Sequence, residues 1–240
     1  MATKRPKQKS ACQQGFSFIE LMASLAILTL VIGVVVKGVT TMQARNMVET
    51  SKLDLTQESR QFMDQIVNDL HQSGFPRKGM FDPATLNSTT NCESDNNVAC
   101  GLVSVSQSAV QFEGDVDATG VSEVFIQLVQ SNGASAPACT TPPCVMQRGT
   151  ISKTLCAPDA TGTCTGTAPQ YFTEVNNVMN TNIFTAFLKD GTLVTLPASA
   201  TDLPNIKAIG ITLYVRASQP DPQTGLLPTV TMVSTAELKD

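Results

Sequence analysis

A chain of 240 residues, 42% of them hydrophobic, with no Trp and two Tyr, can bury one sizeable core and carry extensions besides. Its formal net charge of −4, from 16 Lys and Arg against 20 Asp and Glu, excludes a nucleic-acid binder held by bulk positive charge. The charge is unevenly placed: the opening "MATKRPKQKSACQQG" holds Lys4, Arg5, Lys7 and Lys9 and no acid, so the remainder carries −4 − 4 = −8.

After this basic segment, Phe16 to Val36 forms an apolar run of 21 residues that contains one charge, Glu20. A secretory signal would have a shorter apolar region of about 7 to 15 residues and a small-residue cleavage site after it. The run here is longer, and at about 1.5 Å per residue it makes roughly 32 Å of helix, enough to cross a ~30 Å hydrocarbon core. Four cations before the span and only Lys37 and Arg45 soon after it orient the leader to the cytoplasm and the bulk of the chain outside. Glu20 is then the anomaly, because an acid inside a membrane helix costs roughly 2.5 to 3.5 kcal/mol on insertion scales and calls for a partner.

The stretch "GFSFIEL" behind a basic leader resembles the prepilin signature of type IV pilins and type II secretion pseudopilins: Gly, an aromatic or apolar residue, and Glu at the fifth mature position. The resemblance implies cleavage after Gly15 by a membrane prepilin peptidase, N-methylation of the new terminus on Phe16, and a role for Glu20 in filament assembly. It also implies other pilin or pseudopilin subunits, an inner-membrane assembly platform and the lipid bilayer as partners. Many major pilins carry a helix-kinking proline at the position of Lys37; its absence here favours a minor pilin or pseudopilin. "LHQSGFP" further along resembles the helix end of PilW-like minor pilins and of J-type pseudopilins, a weaker likeness than that of the N-terminus.

The helical pattern continues past the apolar run. Leu55, Phe62, Met63, Ile66, Val67 and Leu70 recur at three- and four-residue spacing, and Gly74 with Pro76 supplies a stop, so one helix is expected from Phe16 to about Ser73. From residue 79 the texture turns to strands: "GLVSVSQSAVQFEG", "VSEVFIQLVQS", "CVMQRGTISKTL", "NIFTAFLKDGTLVTL", "IKAIGITLYVRA" and "PTVTMVSTAEL". Asp190-Gly191 predicts a hairpin with a type I′ turn. The expected fold class is α+β, a long N-terminal helix packed by its second half on a predominantly antiparallel sheet, type IV pilin-like. The expected division is a leader at 1–15, a transmembrane assembly helix at 16–36, an amphipathic continuation at 37–74 and a disulfide-stapled β-rich periplasmic head at 75–240.

Of seven cysteines, Cys12 lies in the leader and six lie outside the membrane. They fall as close pairs, Cys92 with Cys100, Cys139 with Cys144 and Cys156 with Cys164. Extended at about 3.3 Å per residue, the stretch between the second and third pairs would hold Cys144 and Cys156 far beyond bonding reach, which favours pairing between neighbours. Zinc is disfavoured, since the spacings suit neither ribbon nor finger sites and the only His is His71.

Catalytic chemistry finds little purchase. Asp115, Asp117 and Glu123 approach a calcium-loop spacing, but Ile126 occupies the twelfth position and a hairpin turn is the better reading. His71 reads as a solvated helix residue. There is no Gly-rich phosphate loop and no basic stripe, so no catalytic residue, metal, cofactor or nucleic-acid partner is expected. The sequence thus predicts a non-enzymatic minor subunit of a type IV pilus-like or type II secretion filament. It would cross the bacterial inner membrane once, with the head in the periplasm or at a filament tip. The alternative is a membrane-anchored periplasmic module that binds or adheres to a ligand or surface.

Overall fold

The computed structural model describes residues 17–86, 92, 95–131, 138–155, 168–221 and 224–239. One helix, α1 (Phe18–His71), runs 54 residues without interruption. Nine strands follow among the described residues: β1 (Leu102–Val105), β2 (Ala109–Gly114), β3 (Ser122–Gln130), β4 (Cys144–Ser152), β5 (Gln170–Val178), β6 (Phe184–Leu188), β7 (Leu193–Val194), β8 (Ile206–Arg216) and β9 (Thr229–Glu237). By internal contacts the chain divides into a first unit, 1–47, and a second, 48–240.

In the first unit the described residues are helical from Phe18 onward, and the apolar side chains from Phe18 to Val39 are exposed. The segment is long and apolar enough to cross a membrane. Its hydroxyls are compatible with lipid: Ser24 Oγ donates to the Leu21 carbonyl and Thr29 Oγ1 to the Ala26 carbonyl, each at 2.9 Å. A polar group that bonds its own helix needs no water.

The second unit is an α+β head, consistent with a pilin-like fold. All strand pairs are antiparallel, in the order β1-β2-β3-β4-β5-β8-β6-β7 with β9 paired to β8. Val48, Leu55, Phe62, Met63, Ile66 and Leu70 bury one stripe of α1, and from Leu55 on they join a core with Phe112, Val124, Ile126, Met146, Phe184 and Ile211 from the sheet. Burying a side chain of this size contributes about 1.5 to 3 kcal/mol. The stripe is fastened at its rim, where Arg148 Nε on β4 meets Asp69 Oδ2 at 2.7 Å and Glu58 Oε1 accepts the Asn176 backbone N–H of β5 at 3.0 Å.

The helix ends as its stop signal predicts. Gln72 N–H and Ser73 N–H donate to the Asp69 and Leu70 carbonyls at 3.0 and 3.1 Å, a tightened last turn, and Gly74 adopts φ +77°. Gly74 N–H then donates to the Glu113 carbonyl and Asp115 N–H to the Phe75 carbonyl, each at 2.9 Å, which ties the helix end to the end of β2. Gly114 makes that approach feasible, since a Cβ there would lie 2.6 Å from the Gln72 carbonyl oxygen.

Two local expectations differ from the structure. The β6–β7 hairpin forms, but Asp190 is not left-handed; Gly191 alone has positive φ, +81°. Gly191 N–H donates to the Leu188 carbonyl and Leu188 N–H to the Thr192 carbonyl, so the turn is a three-residue loop with glycine at the left-handed position. The second difference is β5, "QYFTEVNNV", which the apolar patterning does not announce. It pairs with β4 through two register shifts, Asn177 takes φ +54°, and only Val175 and Val178 of its side chains are buried. A bulged, polar strand has no clean alternation to read.

Candidate functional site

Two places in the chain concentrate unusual chemistry. The first is the start of α1. Ser17 precedes the helix, and its carbonyl accepts the N–H of Glu20 and of Leu21 at 3.0 and 3.1 Å. Glu20 is an exposed carboxylate in the first turn, and among the described residues it has no ion pair. A carboxylate there favours the positive end of the helix dipole by about 0.3 to 1 kcal/mol, less than the membrane cost of the charge. The spacing Ser17-x-x-Glu20 also fits a capping-box pattern, a local signal overlooked when Glu20 is read only as a misplaced charge. Gly15, Phe16 and Cys12 lie outside the described residues.

The second place is inside the head. Glu113 and Glu123 face each other across β2 and β3, and both are buried. Like charges directly opposite repel, and each carboxylate has a separate remedy. Lys153 Nζ, itself 2% exposed, lies 2.7 Å from Glu113 Oε2 and donates to the carbonyls of Val98 and Cys92 at 2.8 and 3.0 Å. Glu113 Oε2 also accepts the Cys100 N–H at 2.7 Å. Glu123 Oε1 accepts a hydrogen bond from Gln111 Nε2 instead. Burial, reinforced by the Glu113 charge and opposed by Gln111 and Lys153, pushes Glu123 up from 4.5 to about 7. One carboxylate is held as an ion pair, and the other can keep its proton near neutrality.

This cluster anchors the loop that Cys92 and Cys100 close, whose Cα atoms are 5.4 Å apart and whose sulfurs are joined. Cys139 and Cys144 are likewise joined, with Cα atoms 5.9 Å apart, at the start of β4. Cys156 and Cys164 lie outside the described residues. None of these groups forms a nucleophile–base pair, and the described residues contain no group of three or more His, Cys, Asp or Glu able to hold a metal.

The remaining singled-out residues occupy separate places. Asp115 Oδ1 accepts the Gly120 N–H at 3.2 Å, while Asp117 Oδ1 accepts from Thr119 N–H and hydroxyl at 3.1 and 2.7 Å. They shape the β2–β3 loop, whereas Glu123 points into the cluster beneath the disulfide loop. His71 is the last residue of α1 and lines a cavity of about 670 Å³ with Phe75, Arg77, Met80, Asp115 and Lys239. Burial also raises Asp69, against the opposing Arg148 charge and hydrogen bond, and raises Glu174 in the same neighbourhood.

Neither the curated proteins nor the solved structures yield a match to the chain. One family model does, the prokaryotic N-terminal methylation motif, over residues 10–36. The matched segment holds the Gly15-Phe16 junction, Glu20 and the whole apolar run, and it supports a type IV prepilin-like protein whose motif, in general, implies peptidase processing and assembly with other pilin subunits.

Proposed function

We propose that this chain is a structural minor subunit of a type IV pilus-like or type II secretion filament. It is inserted once in the bacterial inner membrane, with residues 1–15 cytoplasmic and the head periplasmic or at a filament tip. Prepilin peptidase cuts after Gly15, Phe16 is N-methylated, and the mature chain enters the filament through its N-terminal helix at an inner-membrane assembly platform. The observation that carries this reading is the methylation motif over 10–36, whose part from Phe18 onward lies on a helix with apolar side chains exposed all round. A helix of that kind has lipid or other helices as its surroundings. Support for a minor rather than a main subunit comes from the uninterrupted helix at Lys37.

Cleavage would free an α-amine on Phe16, a group largely cationic at neutral pH. An incoming helix staggered along its neighbour can bring that amine to the neighbour's Glu20, which couples charge neutralisation to docking. The arrangement asks for no bond-making by the head, so the role is non-enzymatic. Intact-mass and N-terminal peptide analysis of membrane-extracted protein tests the proposal. The expected mature start is N-methylated Phe16, and a start elsewhere in cells with active peptidase refutes it.

A further inference from the structure

The second unit carries ten Lys and Arg against nineteen Asp and Glu, a net −9 over residues 48–240. Against that background the described residues at the end of the head where α1 stops are locally basic. The cavity of about 670 Å³ there is lined by His71, Arg77 and Lys239, with Phe75 and Met80 supplying its apolar surface. A smaller cavity of about 230 Å³ adjoins it, sharing Ser73, Arg77 and Lys239 and adding Lys207. Arg77 and Lys239 therefore line both cavities.

Cations at a helix C-terminus ordinarily serve its unsatisfied carbonyls. Here the Asp69, Leu70 and Gln72 carbonyls already accept backbone N–H groups from Gln72, Ser73 and Phe75. Among the described residues neither Arg77 nor Lys239 has a carboxylate partner. Asp115, the one acid lining the larger cavity, has an oxygen engaged by the Gly120 N–H. Phe75 is 46% exposed and Met80 61% exposed, so two large apolar side chains lie open beside two cations with no partner among the described residues. The volume falls within the range of about 300 to 1,000 Å³ usual for a binding cleft.

We propose that this end of the head is a docking site for an acidic segment of another polypeptide, one that presents carboxylates to Arg77 and Lys239 and an apolar side chain to Phe75 and Met80. The charge complementarity is local: an acidic segment is repelled by the rest of the head and attracted here, which gives orientation as well as affinity. The inference does not depend on the filament reading, since it concerns only the head.

The test is calorimetric titration of the full chain in uncharged detergent micelles at low salt with acetyl-Glu-Phe-Glu-Leu-amide. Controls are the same peptide with Gln in place of both Glu, and inorganic phosphate. The expected result is binding with Kd below about 1 mM, at least about tenfold weaker for the Gln peptide and for Arg77→Glu or Lys239→Glu, and tighter for Asp115→Asn. Arg77 and Lys239 are exposed and Asp115 is half-buried, and an unchanged unfolding midpoint shows that the head is intact. Absence of binding, binding that survives both charge reversals, or phosphate binding more tightly than the peptide overturns the proposal; the last outcome would make this a simple anion site.

Discussion

Residues 18–47 and 48–71 belong to one unbroken helix, yet their side chains obey different rules. In the first stretch apolar groups point in every direction and are exposed on all sides; in the second all but Leu53, which is 61% exposed, gather on or beside the stripe of Leu55, Phe62, Ile66 and Leu70, with Lys52, Asp54 and Arg60 turned outward. Hydrogen bonds of the helix itself are the same in both. What differs is the solvent each stretch is built for: one whose surroundings are apolar throughout, and one with water on one side and a sheet on the other. Substitutions should therefore register very differently in the two.

Phe62→Ala is the strongest way to probe the contrast. The ring is 2% exposed in the core, and its removal should cost the head about 4 kcal/mol, read as a lower denaturation midpoint of the full chain in micelles. Leu28→Ala, in the exposed stretch, should leave that midpoint unchanged. A comparable loss from both would mean the two stretches share a core.

Lys153→Met comes next. It strands the buried Glu113 carboxylate without its cation and should destabilise the head by about 3 kcal/mol, whereas Lys153→Met combined with Glu113→Gln should recover most of that loss. A double variant no better than the single one would show that the ammonium matters for its carbonyl bonds to Cys92 and Val98 rather than for the charge.

The effect of Glu123 is smaller and depends on pH. Its folded pKa of about 7 lies above the ordinary 4.5, so between those values the folded chain holds a proton that the unfolded chain has lost. Its contribution to stability is fully present below about pH 4.5, declines as pH rises to about 7 and is absent above that. Glu123→Gln should flatten this decline, gaining about 1 to 2 kcal/mol over wild type at pH 8 relative to pH 5. Parallel pH profiles for the two proteins would remove Glu123 as the titrating group.

Glu20→Leu should have the least effect on the head, within about 0.5 kcal/mol, because the residue lies in the exposed stretch. Cysteine crosslinking between neighbouring helices in assembled filaments should nevertheless fall sharply. Equal crosslinking in wild type and variant would mean that the carboxylate serves only its own N-terminus.

The helix, its stop and most strands are legible in the sequence because each is written in local spacing: Leu55 to Leu70 at helical intervals, Gly74 before Pro76, and β-branched runs such as "IKAIGITLYVRA". β5 is not, since Glu174, Asn176 and Asn177 break the alternation and its place is set by β4 and by Glu58 of the helix. The buried cluster is less legible still. Lys153 in "TISKTL" looks like any solvated lysine, and its partner Glu113 lies 40 residues away. One trace of it exists only in the register: Glu113 opposite Glu123, two acids side by side on strands that elsewhere carry Val and Phe. Such a pairing asks for a cation, but it becomes visible only once the strands are aligned.

The position of Lys153 also predicts an order of events. Its ammonium is gripped by Glu113 from β2 and by carbonyls of the 92–100 loop, while its own N–H donates to the Val121 carbonyl beside β3. The Glu113 bond joins β2 to the end of β4, which β3 separates, so this tether is expected to be completed only after the three strands have met, whereas the Cys92–Cys100 disulfide closes the loop locally. Contacts made that late govern how slowly a native protein comes apart rather than how quickly it forms. The loop's tether is thus a brake on unfolding: losing it should shorten the lifetime of the folded head while leaving its refolding rate nearly untouched.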